Sequence, residues 1–392
     1  MSEWSDVSLD ELAAMTSGKP IKPGSAGPFV AFGSNGIIGG APEARHDRGI
    51  IVGRVGAYCG SLAVSRAPFW ASDNTIVLTP RKDSDLDYVY YLLLNADLNR
   101  HAGGAAQPLI TQATLKGLTY RVPDESIRSK IGRALRTFDH LIEINRRRIA
   151  VLDEMAQAIY REWFVYFRYP GHEDDAIADS PLGPVPQGWE LATVGQSFTT
   201  VLGGTPSRRN AAFWNGDIPW LNSSKTNELR VIDPSEFITA LGLAKSSTKL
   251  MPAKTTLIAI TGATLGQVSM LEAEMCANQS VVGVYGENGS GAEWIYRTFV
   301  DRIEGIVQSA SGGAQQHINK GVVENVLIVR PPSRVLSSFN DAARPLGDEI
   351  ATLLRSNRVL ESIRDTVLPR LVTGAIDVSN LDLDVLLEES AA

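Results

Sequence analysis

The chain has 392 residues, 44% of them apolar and 21% charged, which fits two or three soluble globular domains and excludes a disordered chain. No apolar run approaches the roughly 18–20 residues of a membrane span, the polar, acidic start lacks the features of a secretory signal, and two cysteines, Cys59 and Cys276, cannot build a disulfide framework, so a reducing cytoplasm is expected. The net charge of −7 argues against nucleic acid until it is mapped: thirteen acids lie in residues 1–19, 170–184 and 377–389, and the rest of the chain has 31 acidic against 36 basic residues.

Short, β-branched segments bounded by turn residues open the chain. Ile50-Ile51-Val52 and Thr75-Ile76-Val77-Leu78 predict strands, and 87–95 predicts a helix inserted among them. From Ser126 the pattern changes. Ile127, Ile131, Leu135, Phe138, Ile142, Ile149, Leu152, Ala156 and Ile159 fall mostly three or four apart, which predicts one long helix between Pro123 and Pro170-Gly171. The stretch around Asn145–Arg148 reads as exposed. An acidic, Pro-rich linker follows at 170–186. Strands are expected again at 256–260 and 280–284, with a helix at 292–306. A second long helix follows Pro331-Pro332, with Phe339, Leu346, Ile350, Leu353, Leu360, Ile363, Val367 and Leu371 as its stripe and Gly374 as its cap.

The order repeats because the sequence does. Trp4-x4-Leu9 recurs as Trp189-x4-Val194, and Gly56-Ala57-Tyr58-Cys59-Gly60 as Gly262-Ala263-Thr264-Leu265-Gly266, 206 residues on. At that offset Ala71 falls on Ala277, Tyr88 on Trp294 and Tyr90 on Tyr296. A collinear series over half the chain implies tandem duplication. The expected fold is α+β: two strand-rich α+β domains at 1–123 and 187–330, each followed by a long helix, at 124–169 and 331–376, with an acidic tail at 377–392. A helix of about 40 residues is about 60 Å long at 1.5 Å per residue, and its single apolar stripe needs a partner. The other copy is the expected one, in an antiparallel, coiled-coil-like pair packed through Ile131, Phe138, Ile142, Ile149, Leu152 and Ile159 against Leu346, Ile350, Leu353, Leu360, Ile363 and Val367.

Catalytic signatures are missing. There is no phosphate-binding G-x-x-x-x-G-K-[ST] loop, no G-x-G-x-x-G, no H-x-x-x-H helix and no D/E-x-K strand, and Ser246-x-x-Lys249 stands alone. The five histidines are scattered, so neither a catalytic nor a metal residue is expected. The loops instead mix basic, amide and hydroxyl side chains. The first half offers Ser34, Asn35, Arg45, Arg48 and Gln107; the second offers Arg208, Arg209, Asn222, Ser223, Lys225, Gln315, Gln316 and His317. Arg and Lys suit guanine edges and phosphates, and Asn and Gln suit adenine, so these are candidate DNA contacts. Ordinary polar turns have the same composition, and a tandem protein-binding scaffold without DNA recognition is the alternative reading. Salt-dependent retention on DNA separates the two.

Residues 189–224 carry a closer likeness. Gly203-Gly204-Thr205-Pro206-Ser207, Phe213-Trp214 and Asp217-Ile218-Pro219-Trp220-Leu221 resemble the opening of a target recognition domain in the specificity (S) subunits of type I restriction-modification systems. Gly262-Ala263-Thr264-Leu265-Gly266, Gly312-Gly313-Ala314-Gln315-Gln316-His317-Ile318, Gly33-Ser34-Asn35-Gly36, Ala67-Pro68-Phe69-Trp70 and Arg364-Asp365-Thr366-Val367-Leu368-Pro369-Arg370-Leu371 are similar to other parts of the family pattern. The resemblance implies a non-catalytic, cytoplasmic DNA reader of a bipartite site. Its partners would be double-stranded DNA, methyltransferase (M) subunits, two per chain, and restriction (R) subunits. It implies no cofactor in this chain, with S-adenosylmethionine on M and ATP and Mg on R. Loop sequences vary too much in the family for contact residues to be carried over.

Overall fold

The computed structural model describes residues 4–104, 108–310 and 318–378. The chain forms two compact units. One comprises Met1–Ile144 with Asn357–Ala392, the other Asn145–Ser356. Both boundaries therefore fall inside a long helix, so each unit owns part of both.

In the first unit, strand Ser5–Ser8 pairs antiparallel with Thr119–Val122 and leads into a one-turn helix, Leu9–Leu12. Ser8 and Glu11 cap that turn reciprocally, each side chain accepting a hydrogen bond from the other's backbone N–H. A four-stranded antiparallel sheet follows in the order Ala13–Ser17, Thr75–Pro80, Gly49–Gly53, Leu62–Ser65. The expected strands occupy its centre, where β-branched residues pack on both faces; all five residues of Gly49–Gly53 are buried. A smaller sheet orders Gly36–Ala41, Phe29–Gly33 and Phe69–Ala71, the last pair parallel. Helix Leu86–Ala96 covers the larger sheet, with Tyr88, Val89 and Leu92 joining Ile50, Val52, Ile76 and Leu78 in one core.

The second unit repeats the plan. Glu190–Thr193 pairs with Leu327–Arg330, and Thr193 and Gln196 form the same reciprocal cap on the turn Val194–Ser197. Five strands order as Thr199–Leu202, Val281–Tyr285, Thr256–Ala259, Val268–Leu271, Arg230–Val231, and four as Glu236–Ile238, Trp214–Leu221, Met275–Ala277, Leu250–Met251. Helix Ala292–Ala310 takes the place of Leu86–Ala96 and runs four residues beyond the expected 306. The recurring G-x-x-x-G now has a reason. Gly56 and Gly262 start one-turn helices at φ +71° and +73°, and Gly60 and Gly266 close them at +84° and +81°, a left-handed region that side chains with a Cβ resist.

The long helices span Glu125–Phe164 and Ser333–Val372. Asp124 caps the first, its Oδ1 accepting from Ile127 N–H at 3.1 Å. It stops at Phe164 rather than 169, because Phe167 turns left-handed at φ +59° and the Arg168 N–H closes back on the Glu162 carbonyl at 2.7 Å. Gly374, at φ +78°, lies two residues past the end of the second. Within the first unit, Ile127, Ile131 and Leu135 share a core with Leu368, Leu371 and Val372, and Arg364 Nη1 reaches Asp139 Oδ1 at 2.5 Å. Within the second, Ile149 packs on Ile350 and Leu353, and Arg148 Nη2 lies 3.0 Å from Glu349 Oε1. Further along in the second unit, Tyr160 meets Phe339 with centroids 6.4 Å apart, so in each unit residue numbers rise along one helix as they fall along the other and the pair is antiparallel.

The predicted stripe is placed unevenly. Ile131, Ile142, Ile149, Ile350 and Leu353 are buried; Phe138, Leu152, Ile159, Leu346, Leu360 and Val367 are partly buried; Ile363 is 43% exposed. Asn145 corrects the expectation of an exposed stretch there, being only 9% exposed while Arg146, Arg147 and Arg148 face solvent. No described helix is long and apolar enough to cross a membrane.

A buried charge cluster anchors strands to helix within the second unit. The Arg230 side chain is fully enclosed and donates to Glu272 Oε1 at 2.8 Å and to Glu293 Oε1 at 2.7 Å. Lys254 bridges Glu272 Oε2 at 2.8 Å and Asp348 Oδ1 at 3.1 Å. Gly347, on the helix, lets this cluster approach; a Cβ there would run into Glu293 Oε1.

Candidate nucleic-acid interface

The small sheet of the second unit collects most of that half's candidates. After strand Thr199–Leu202, the segment Gly203-Gly204-Thr205-Pro206 folds close against neighbouring backbone; a Cβ at Gly204 would meet the Thr248 nitrogen at 2.5 Å. The Trp220 indole N–H donates to the Gly204 carbonyl at 3.0 Å and ties this segment to the sheet. Arg208 then lies over the Trp214 ring, its guanidinium carbon 3.6 Å from the centroid and 5.3 Å from that of Trp220. Its Nη1 and Nη2 donate to the two oxygens of Glu236 at 2.5 and 2.7 Å. Hydrogen bonds from Arg208 hold the Glu236 carboxyl below its usual pKa, and Glu236 in turn raises that of Arg208. Arg209, next along, is exposed, with no hydrogen-bond or ion-pair partner among the described residues.

Asn222 joins this group from the end of strand Trp214–Leu221. Its backbone N–H donates to Ser235 Oγ at 3.1 Å, one residue from Glu236. Its side chain is turned inward on its own loop, with Oδ1 accepting from Ser224 N–H at 2.9 Å. Ser223 uses its carbonyl to accept from the Thr226 hydroxyl. Lys225 is only 19% exposed and paired with Glu228 at 2.8 Å. Arg208 and Arg209 are therefore the arginines this loop offers outward, while Asn222, Ser223 and Lys225 shape it.

In the first unit the candidates divide. Asn35 is exposed at the turn joining Phe29–Gly33 to Gly36–Ala41, where the Ser34 carbonyl accepts from the Ser61 hydroxyl. Arg45 follows that hairpin and lies back along it, 4.9 Å over the Trp70 ring and 3.6 Å from Glu43. Trp70 pairs with Ala31, so the strand separates Arg45 from Asn35 by on the order of 10 Å at 3.3 Å per residue. His46 stacks on Phe69 at 5.2 Å, and burial, then Arg45, lowers its pKa below the usual 6.5. Arg48 pairs with Asp83. Gln107, Gln315, Gln316 and His317 lie outside the described residues.

Among the described residues no three His, Cys, Asp or Glu side chains come together as metal ligands. Both cysteines are buried, and burial pushes the Cys276 thiol up to about 11, the reverse of a nucleophile's tuning. The sequence reading named Trp70 and Trp214 only as parts of family-like motifs, not as site residues, and missed Glu43 and Glu236. Arg208 stands six residues before Trp214, a usable signal for that tryptophan; Arg45 stands 25 residues before Trp70 and gave none. Glu236 carried none, since it lies 28 residues from Arg208 and only the strand register brings it close.

The family described as Type I restriction modification DNA specificity domain matches residues 1–154 and 186–335, one match over each strand-rich half. The chain is 26% identical over 329 residues to the type I restriction enzyme MjaIX specificity subunit of Methanocaldococcus jannaschii, covering 82% of this chain and 76% of that one. It is 22% identical over 371 residues to the HindI specificity subunit of Haemophilus influenzae, covering 78% and 81%. The crystal structure of a type I S subunit from M. genitalium superposes with a TM-score of 0.67 at 15% identity over 95% of this chain and 96% of that one, which shows the shared fold. Two family matches in tandem, two copies of one architecture and the paired long helices together place the chain in the type I restriction-modification specificity-subunit family, the non-catalytic, DNA-recognising component of such systems.

Proposed function

We propose that this chain reads a bipartite, asymmetric DNA sequence, one half-site per strand-rich module, and directs methyltransferase subunits, two per chain, and restriction subunits to it. On this reading the paired helices set the gap between half-sites and carry the methyltransferase docking surface. S-adenosylmethionine, ATP and Mg would act on those partners. The modules span 1–123 and 187–330. The candidate contacts are Ser34, Asn35, Arg45, Arg48 and Gln107 in one, and Arg208, Arg209, Asn222, Ser223, Lys225, Gln315, Gln316 and His317 in the other.

One observation carries the reading: a single architecture is present twice with unlike recognition loops. Arg45 comes from the segment after a hairpin and Arg208 from the segment before a strand. Identical readers would select a palindrome; unlike readers select two different half-sites. The test is methylation mapping of whole genomes in cells carrying the methyltransferase subunit with this chain, without it, or with 187–330 exchanged for the corresponding module of a relative. The expected result is a split motif that vanishes without the chain and changes in one half only after the exchange. A palindromic motif, or one that survives loss of the chain, overturns the reading.

A further inference from the structure

In both modules an arginine lies on a tryptophan of the small sheet beside a glutamate, and the two clusters are built differently. Ala31 pairs in parallel with Trp70 as Trp220 pairs in parallel with Cys276. The ring that receives the guanidinium is thus on one strand in the first module and on its neighbour in the second. The arginine has likewise moved, from residue 45 after the hairpin to residue 208 before the strand. A contact kept only by descent would keep its positions. Stability does not account for it either, because exposed ion pairs contribute little, and the Arg208 and Glu236 side chains are 53% and 41% exposed.

The second cluster is the tighter. The fork of Arg208 fits the two oxygens of Glu236, and its guanidinium carbon sits 3.6 Å from the Trp214 ring centroid. Two acceptors side by side are also what guanine O6 and N7 present in the major groove. A guanine edge can take over both hydrogen bonds while leaving the released carboxylate beside a neutral base. A phosphate would bring a negative charge against it, and adenine offers one acceptor beside a donor.

We propose that Arg208 reads a guanine in the second half-site and that Glu236 is its positioning residue, holding the guanidinium over Trp214 and away from phosphates until a guanine edge replaces it. Arg45 plays the same part in the first half-site, held more loosely by Glu43. This rests on the DNA-reading function proposed above and specifies its chemistry.

The full chain with its methyltransferase subunits is used in cells for motif mapping. The purified chain is used in competition binding, with the mapped motif and a random-sequence duplex as probes. Arg208→Lys keeps the charge and loses the fork, so guanine preference at one position of the second half-site should fall about 5- to 150-fold while the first half-site stays unchanged. Glu236→Gln should instead tighten binding to the random duplex and steepen its salt dependence by about 0.9 in log–log slope, the signature of one added phosphate contact. Arg45→Lys should alter the first half-site alone. Arg208→Lys with wild-type base preference, or Glu236→Gln with unchanged random-duplex affinity and salt slope, overturns the assignment while leaving DNA reading intact. A wild-type chain with no salt-dependent affinity for DNA overturns the proposed function and this assignment with it.

Discussion

Arg230 is a charge without solvent, and its neighbours decide what that means. Enclosing an ion is costly, and two carboxylates plus the Lys254 link to Asp348 make it tolerable. Arg230→Met would strand Glu293, leave Glu272 to Lys254 and Arg355, and should destabilise the second unit by about 3–5 kcal/mol, read as a lowered urea midpoint. An unchanged midpoint would mean the cluster is dispensable. In the sequence, Arg230 looks like one more loop cation, since Glu272 and Glu293 lie 42 and 63 residues away. Cys276 makes a second residue-scale case. Its folded pKa is raised by burial from the usual 9.0 to about 11, so the folded state holds its proton longer than the unfolded chain does. The resulting stability is whole below about pH 9 and is lost as pH rises toward 11. A Cys276→Ala chain should lose less stability over that interval in pH-dependent denaturation; parallel curves would contradict the assignment.

At the scale of elements, legibility follows the range of the interaction that makes the element. The reciprocal caps at Ser8 and Thr193 and the long helices depend on residues three or four apart, and their patterns stand in the sequence. The parallel pairs of the small sheets depend on distant partners and left no local sign. Asn145 shows the limit of reading a helix by its polarity: a polar residue in the stripe is buried, and the arginines after it are not. Within the proposed function these helices convert residue count into distance at about 1.5 Å per residue. A four-residue insertion between Arg146 and Arg147 should lengthen the gap in the methylated motif by one or two base pairs and leave both half-sites unaltered. A one-residue insertion turns the stripe by about 100° and should cost stability instead. A longer chain with the original gap, still active, would refute the ruler.

The molecule as a whole is one plan carried out twice, and the two copies also share how each begins. Trp189, which opens the second module, packs its indole on Phe164, Phe167 and Tyr169 just where the first long helix ends, with ring centroids 5.9, 5.3 and 5.4 Å away. Trp4, which opens the first, lies so close to Gly374 at the end of the second long helix that a Cβ there would sit 2.5 Å from its ring. The joints are equivalent, but the chain runs continuously through only one of them. The order of the chain through the joints is then separable from the packing that forms them. A circular permutant opened between residues 171 and 184, with residue 378 joined to residue 4 by a short flexible linker, should fold and unfold with a thermal midpoint close to that of the parent. In cells it should support the same methylated motif. If it fails to fold with linkers of several lengths, the covalent passage at 165–188 supplies something that the packing of Trp189 does not, and the two joints differ after all.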